Sequence, residues 1–87
     1  MKLKTMSGIT EDLDYERLAN ELERSALERH YYFTNGDLNC LIQDIQKELY
    51  YYKGSDNEIS YYELRYVIRM VLERSKFKWL SEGILTI

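Results

Sequence analysis

Eighty-seven residues carrying a net charge of −3, with four Gly, no Pro and a single Cys, fit one helix-rich domain over residues 1–87 with a modest core. No apolar run approaches the roughly 20 residues that a membrane-spanning helix needs, and the N-terminal stretch MKLKTMSGITEDLD lacks the apolar centre of a signal peptide. Cys40 alone cannot form an internal disulfide, so the expectation is a cytoplasmic protein, and the charge is too small to mimic nucleic acid.

Lys2–Met6 alternates weakly, as a short strand or an unstructured lead, and Gly8 is placed to turn it. Thr10 or Asp12 then caps a first helix whose positive end collects Glu11, Asp12, Asp14 and Glu16. Leu18, Ala19, Leu22 and Ala26 form one narrow apolar stripe, and the helix is expected to run to about His30. Thr34 followed by Asp37 marks a second helix start, with Phe33 and Leu38 in the positions of a hydrophobic staple. This helix carries Leu38, Leu41, Ile42, Ile45, Leu49 and Tyr52 on one face, and Gly54 suits the left-handed position just past its end.

Gly54–Glu58 reads as a turn, and Ser60 with Glu63 reads as a capping box opening a third helix, with Ile59 and Leu64 as its staple. Tyr61, Leu64, Val67, Ile68, Val71 and Leu72 form a wide apolar face, while Tyr62, Tyr66, Arg69 and Glu73 point the other way at 100° per residue. Phe77, Trp79 and Leu80 fit a short fourth helix ending at Gly83, and Ile84–Ile87 is apolar enough to pack on the bundle or to pair with Leu3–Met6. The fold expected from these segments is an all-α bundle of three or four helices, with at most a minor two-stranded edge made by the two termini.

Asp56–Glu63 resembles the second half of an EF-hand loop, with Ile59 at the loop centre and Glu63 as the final acid, and GSDNEISYYEL is especially similar to the variant first loop of the calpain-type hands. That resemblance implies a degenerate calcium-sensing module. The positions of the first ligands hold Tyr52 and Gly54, and Asn57 replaces the usual central Gly, so the six to eight oxygens calcium takes are not all supplied. A wider stretch, with a turn at Gly8, LDYERL, a second helix and EISYYEL before the third, resembles the layout of ATP-cone regulatory domains. It implies nucleotide sensing through basic residues at the N-terminal turn, but here the matching Thr5–Gly8 carries no charge, and the family is not adopted.

Other chemistries find little support. His30 and Cys40 are the only residues of their kinds, which falls short of a zinc ligand set and leaves a nucleophilic pair without an orienting third group. No cofactor and no catalysis are expected. Charge is uneven along the chain: five basic and seven acidic side chains in residues 1–30, two and five in 31–60, five and three in 61–87. Arg65, Arg69, Arg74, Lys76 and Lys78 mix with Tyr66, Phe77 and Trp79, the composition of a nucleic-acid patch. Ideal helix geometry sets Arg74 well around the helix from Arg65 and Arg69, however, so a nucleic-acid-binding regulator is the alternative reading. Nine Tyr are the compositional oddity. Tyr62, Tyr66 and Arg69, joined by Tyr51 and Met70, lie outside the apolar stripes and match the composition of binding hot spots. The expected function is therefore a small regulator, inhibitor or immunity-type protein that docks this face on a partner protein, with self-association also compatible.

Overall fold

The structure, a computed structural model, describes residues 1–81. Its order is strand β1 (Lys2–Lys4), strand β2 (Thr10–Asp12), helix α1 (Tyr15–Leu27), helix α2 (Asn35–Lys53), strand β3 (Glu58–Ser60), helix α3 (Tyr61–Glu73) and a 3-10 turn over Lys78–Ser81. The all-α bundle expected from sequence is therefore wrong: the fold is α+β, with three helices packed beside a three-stranded mixed sheet of order β2-β1-β3. The edge pairing expected between Leu3–Met6 and Ile84–Ile87 involves residues outside those described. The partners that β1 takes are β2, antiparallel, and β3, parallel.

The sheet exists because β1 is placed to serve two neighbours. Gly8, at φ +85°, closes the hairpin that returns the chain along β1, with the Thr5 N–H donating to the Ile9 C=O at 2.8 Å and the Leu13 N–H to the Met1 C=O at 3.0 Å. On its other edge, Leu3 stands opposite Ile59, and the Lys2 N–H donates to the Asn57 C=O at 2.7 Å. Leu3 and Ile59 are both buried, so each strand that touches the core contributes one apolar side chain to it. Ile59 is thus a strand residue facing the core as well as the residue that leads into α3.

Thr10 and Asp12 belong to β2 and cap nothing. The cap of α1 is Asp14, whose carboxylate accepts the N–H groups of Glu16 and Arg17. The helix stops at Leu27, three residues before His30. There the Tyr31 N–H reaches back to the Ala26 C=O at 3.0 Å and the His30 N–H to the Leu27 C=O at 2.9 Å, with His30 itself at φ 61°. These two bonds make a left-handed helix stop of the Schellman type, with His in the place usually held by Gly. Thr34 caps α2 and Gly54, at φ 60°, follows its end, as the sequence implied. The Ser60–Glu63 capping box is formed in full at α3.

The core runs through Leu18, Leu22, Leu41, Ile45, Leu49, Leu64, Val67, Ile68 and Leu72, with Leu3, Ile59, Phe77 and Leu80 closing its ends. Leu38 and Ile42, expected inside, are half-buried against it. An aromatic group fixes the chain after α3: Tyr31, Phe33, Phe77 and Trp79 meet edge to face, with ring centroids 4.8 Å apart for Phe33 and Phe77 and 5.3 Å for Tyr31 and Trp79. The expected fourth helix is this short 3-10 turn, and its expected end at Gly83 lies outside the described residues.

Candidate functional site

One turn of helix separates Tyr62 from Tyr66, and a further turn brings Arg69. The buried face of α3 is taken by Leu64, Val67, Ile68 and Val71 packing into the core, so these three residues are turned outward by the same periodicity that builds the core. Tyr62 is 65% exposed and Tyr66 57%, and Arg69 is exposed beside them. The Tyr52 ring, from the last turn of α2, meets the Tyr66 ring edge to face at 5.9 Å, and the Tyr61 and Tyr62 rings lie 5.7 Å apart. The result is an aromatic ridge along α3 that extends onto α2.

Tyr52 was expected on the buried face of α2. It is 44% exposed and belongs to the ridge, one turn past Leu49 with its ring edge against Tyr66 of α3. The signal was present in the sequence as a Tyr, a residue with an apolar ring and a polar tip, ending a row of Leu and Ile. Tyr51 is 79% exposed, but its ring contact is with Tyr50, and the two line a shallow groove with Gln43, Gln46 and Lys47. Met70 is half-buried. The structure therefore brings together Tyr62, Tyr66 and Arg69, adds Tyr52, and leaves Tyr51 on a separate groove.

Phe77 and Trp79 turn toward Tyr31 and Phe33, so the described part of the C-terminal segment does not lie over Tyr62 and Tyr66. It borders Arg69 instead, where Arg69, Glu73, Lys78, Trp79 and Ser81 line a shallow depression.

The basic residues of the C-terminal third are dispersed. Arg74 is bound to Glu48 at 2.7 Å and Lys76 to Asp37 at 3.3 Å, each tying the end of α3 or the chain beyond it to α2. The Arg65 guanidinium lies over the Tyr61 ring at 5.8 Å. In the stretch that resembles an EF-hand loop, the Lys53 ammonium lies 3.0 Å from Glu63 and 3.4 Å from Asp56, so a side-chain cation answers both acids. Glu63 also accepts the Ser60 N–H, and that bond, with Lys53 second, holds its carboxyl below the usual range. Lys53 is raised in turn, first by its bond to Glu63. Among the described residues no three His, Cys, Asp or Glu side chains gather in a way that would hold a metal ion. No helix of the described residues is long and apolar enough to cross a membrane. Cys40 is exposed and unpaired, and His30 stands in the helix stop.

A cavity that sequence reasoning missed lies between the β1–β2 hairpin, α1 and the start of α3. It measures about 370 Å³, with Leu3, Leu18 and Leu64 buried at its base and Glu11 and Arg17 among the exposed residues at its edge. It went unread because it depends on the hairpin, which the sequence shows only as a weak alternation.

No protein-family model matches the chain, and no curated protein matches it.

Proposed function

We propose that this protein acts by binding another protein through the ridge of Tyr62, Tyr66 and Arg69, with Tyr52 at its flank, as a cytoplasmic regulator, inhibitor or immunity-type protein. The observation that supports this reading most is the exposure of Tyr62 and Tyr66 on consecutive turns of a helix whose other face is fully committed to the core. Tyr rings bring large, rigid contact area at low entropic cost, and a neighbouring Arg supplies planar hydrogen bonding, which is why both recur in hot spots. Arg69 makes no ion pair with any described residue, so its guanidinium is available to a partner carboxylate or carbonyl. The lone exposed thiol of Cys40 fits a reducing compartment.

The nucleic-acid reading is the weaker one, because Arg74 and Lys76 are held by Glu48 and Asp37. The two readings part under a photocrosslinking experiment. A photoreactive phenylalanine analogue in place of Tyr66, expressed in the cell of origin, is expected to give a discrete protein adduct that survives nuclease. The same analogue at Glu23, an exposed site on α1, is expected to give none. Adducts that vanish with nuclease, or equal adducts from both positions, would sink the proposal.

A further inference from the structure

The outer face of α2 carries a row of side chains that the core, the ridge and the ion pairs leave unused. α2 gives Leu41, Ile45 and Leu49 to the interior. On its far side Cys40, Asp44, Lys47 and Tyr51 recur at steps of four, three and four residues, which on a helix makes one continuous row. All four are exposed. Tyr50 flanks the row: Tyr50 and Tyr51 are 71% and 79% exposed, their rings meet at 6.3 Å, and both line the groove with Lys47. The other charged residues of α2 are engaged, Asp37 with Lys76, Glu48 with Arg74 and Lys53 with Glu63. Asp44 and Lys47 form no ion pair with any described residue, nor with each other, although they lie within one turn.

Reversed, this row is complementary to itself. A two-fold axis between Asp44 and Lys47, perpendicular to the helix, sets a second α2 antiparallel to the first. Asp44 then faces the partner's Lys47, Lys47 faces the partner's Asp44, and each Tyr51 faces the small side chain of the partner's Cys40. A parallel pair would bring like charges together instead. One symmetric contact thus answers both unpaired charges, and charge pairs of this kind fix register more than they add affinity. The affinity comes from the rings: full cover of Tyr50 and Tyr51 on both copies removes at most roughly 450–750 Å² from water. With the helix surface around them, that approaches the ~1,000 Å² at the low end of specific interfaces, the size of a weak, reversible contact. We propose that α2 pairs antiparallel with α2 of a second copy of this chain, through Cys40, Asp44, Lys47 and Tyr51, as a reversible homodimer. Tyr52 lies about 100° round the helix from Tyr51, so the ridge it joins stays outside this contact, and the inference does not rest on the protein-binding reading.

The test is analytical sedimentation of the full chain from micromolar to millimolar concentration. The proposal expects a monomer–dimer equilibrium that Tyr51→Ala weakens. Asp44→Lys and Lys47→Asp each set like charges face to face, and each is expected to weaken the dimer by roughly tenfold or more. The double variant Asp44→Lys/Lys47→Asp remakes both pairs with the signs exchanged and is expected to restore it. Mixing Asp44→Lys chains with Lys47→Asp chains is likewise expected to restore association, as a heterodimer. All the substituted residues are exposed, and circular dichroism of each variant verifies that it folds. Wild type that stays monomeric throughout overturns the proposal, as does a dimer that both single charge variants leave unchanged. A dimer lost in Tyr62→Ala/Tyr66→Ala but kept in Asp44→Lys also overturns it, since self-association would then belong to the ridge. Failure of both the double variant and the mixture to restore association overturns the antiparallel pairing.

Discussion

At the scale of single residues, two positions carry more than their letters imply. His30 sits in the left-handed region, where a side chain costs about 1 kcal/mol or more relative to Gly. His30→Gly is expected to stabilise the fold by roughly 0.5–1 kcal/mol, read as a higher urea midpoint with an unchanged slope; an unchanged or lower midpoint would show that His30 makes compensating contacts. The absence of Gly here also explains why the end of α1 was not legible: the stop is built from backbone bonds to Ala26 and Leu27, with no residue that signals it.

Glu63 is the second such position. Its bonds to the Ser60 N–H and to Lys53 lower its folded pKa, so it stabilises the fold above the ordinary carboxylate range. That contribution is lost as pH falls through the unfolded value, about 4.3, and on through the lowered folded one. Glu63→Gln is expected to flatten this part of the acid limb in a stability–pH profile, and a variant with the wild-type slope would contradict the assignment. Ser60→Ala, which removes the other half of the capping box, is expected to cost about 1 kcal/mol.

At the scale of elements, the helices were legible and the sheet was not. Thr34, Ser60 and Gly54 advertise helix ends by side-chain chemistry, and the apolar spacing of α2 and α3 declares their buried faces. The strands are three residues each, too short for a period-two pattern, and β2 is the fully polar Thr-Glu-Asp. β3 ends on the Ser60 cap itself, and its pairing to β1 joins residues far apart in the sequence, which no local pattern reports. The sheet holds the core through Leu3 of β1 and Ile59 of β3, since β2 is fully exposed, so Ile59→Ala is expected to cost about 2–5 kcal/mol, much more than its place in a short edge strand suggests. Phe77→Ala is expected to cost about 3–5 kcal/mol, because it empties the aromatic group that anchors the chain after α3. Equilibrium unfolding measures both, and a loss below 1 kcal/mol for Ile59→Ala would show that the sheet is not coupled to the helical core.

At the scale of the whole molecule, the core and the ridge are two consequences of one helix. α3 gives Leu64, Val67, Ile68, Val71 and Leu72 to the interior and presents Tyr62, Tyr66 and Arg69 to the outside, with α2 adding Tyr52. The outward residues of α3 were readable from periodicity. The union with Tyr52, and the separation of Tyr51, depend on how α2 crosses α3 and were not readable. Tyr62 and Tyr66 are exposed enough that their replacement by Ala leaves the fold within about 1 kcal/mol of wild type. The measurement that bears most directly on the account is a nuclease-treated capture from the cell of origin, with wild type and the Tyr62→Ala/Tyr66→Ala variant side by side and matched by circular dichroism. The account predicts one protein retained by wild type and lost by the folded variant. Equal retention by both, or retention only of material that nuclease removes, would contradict it.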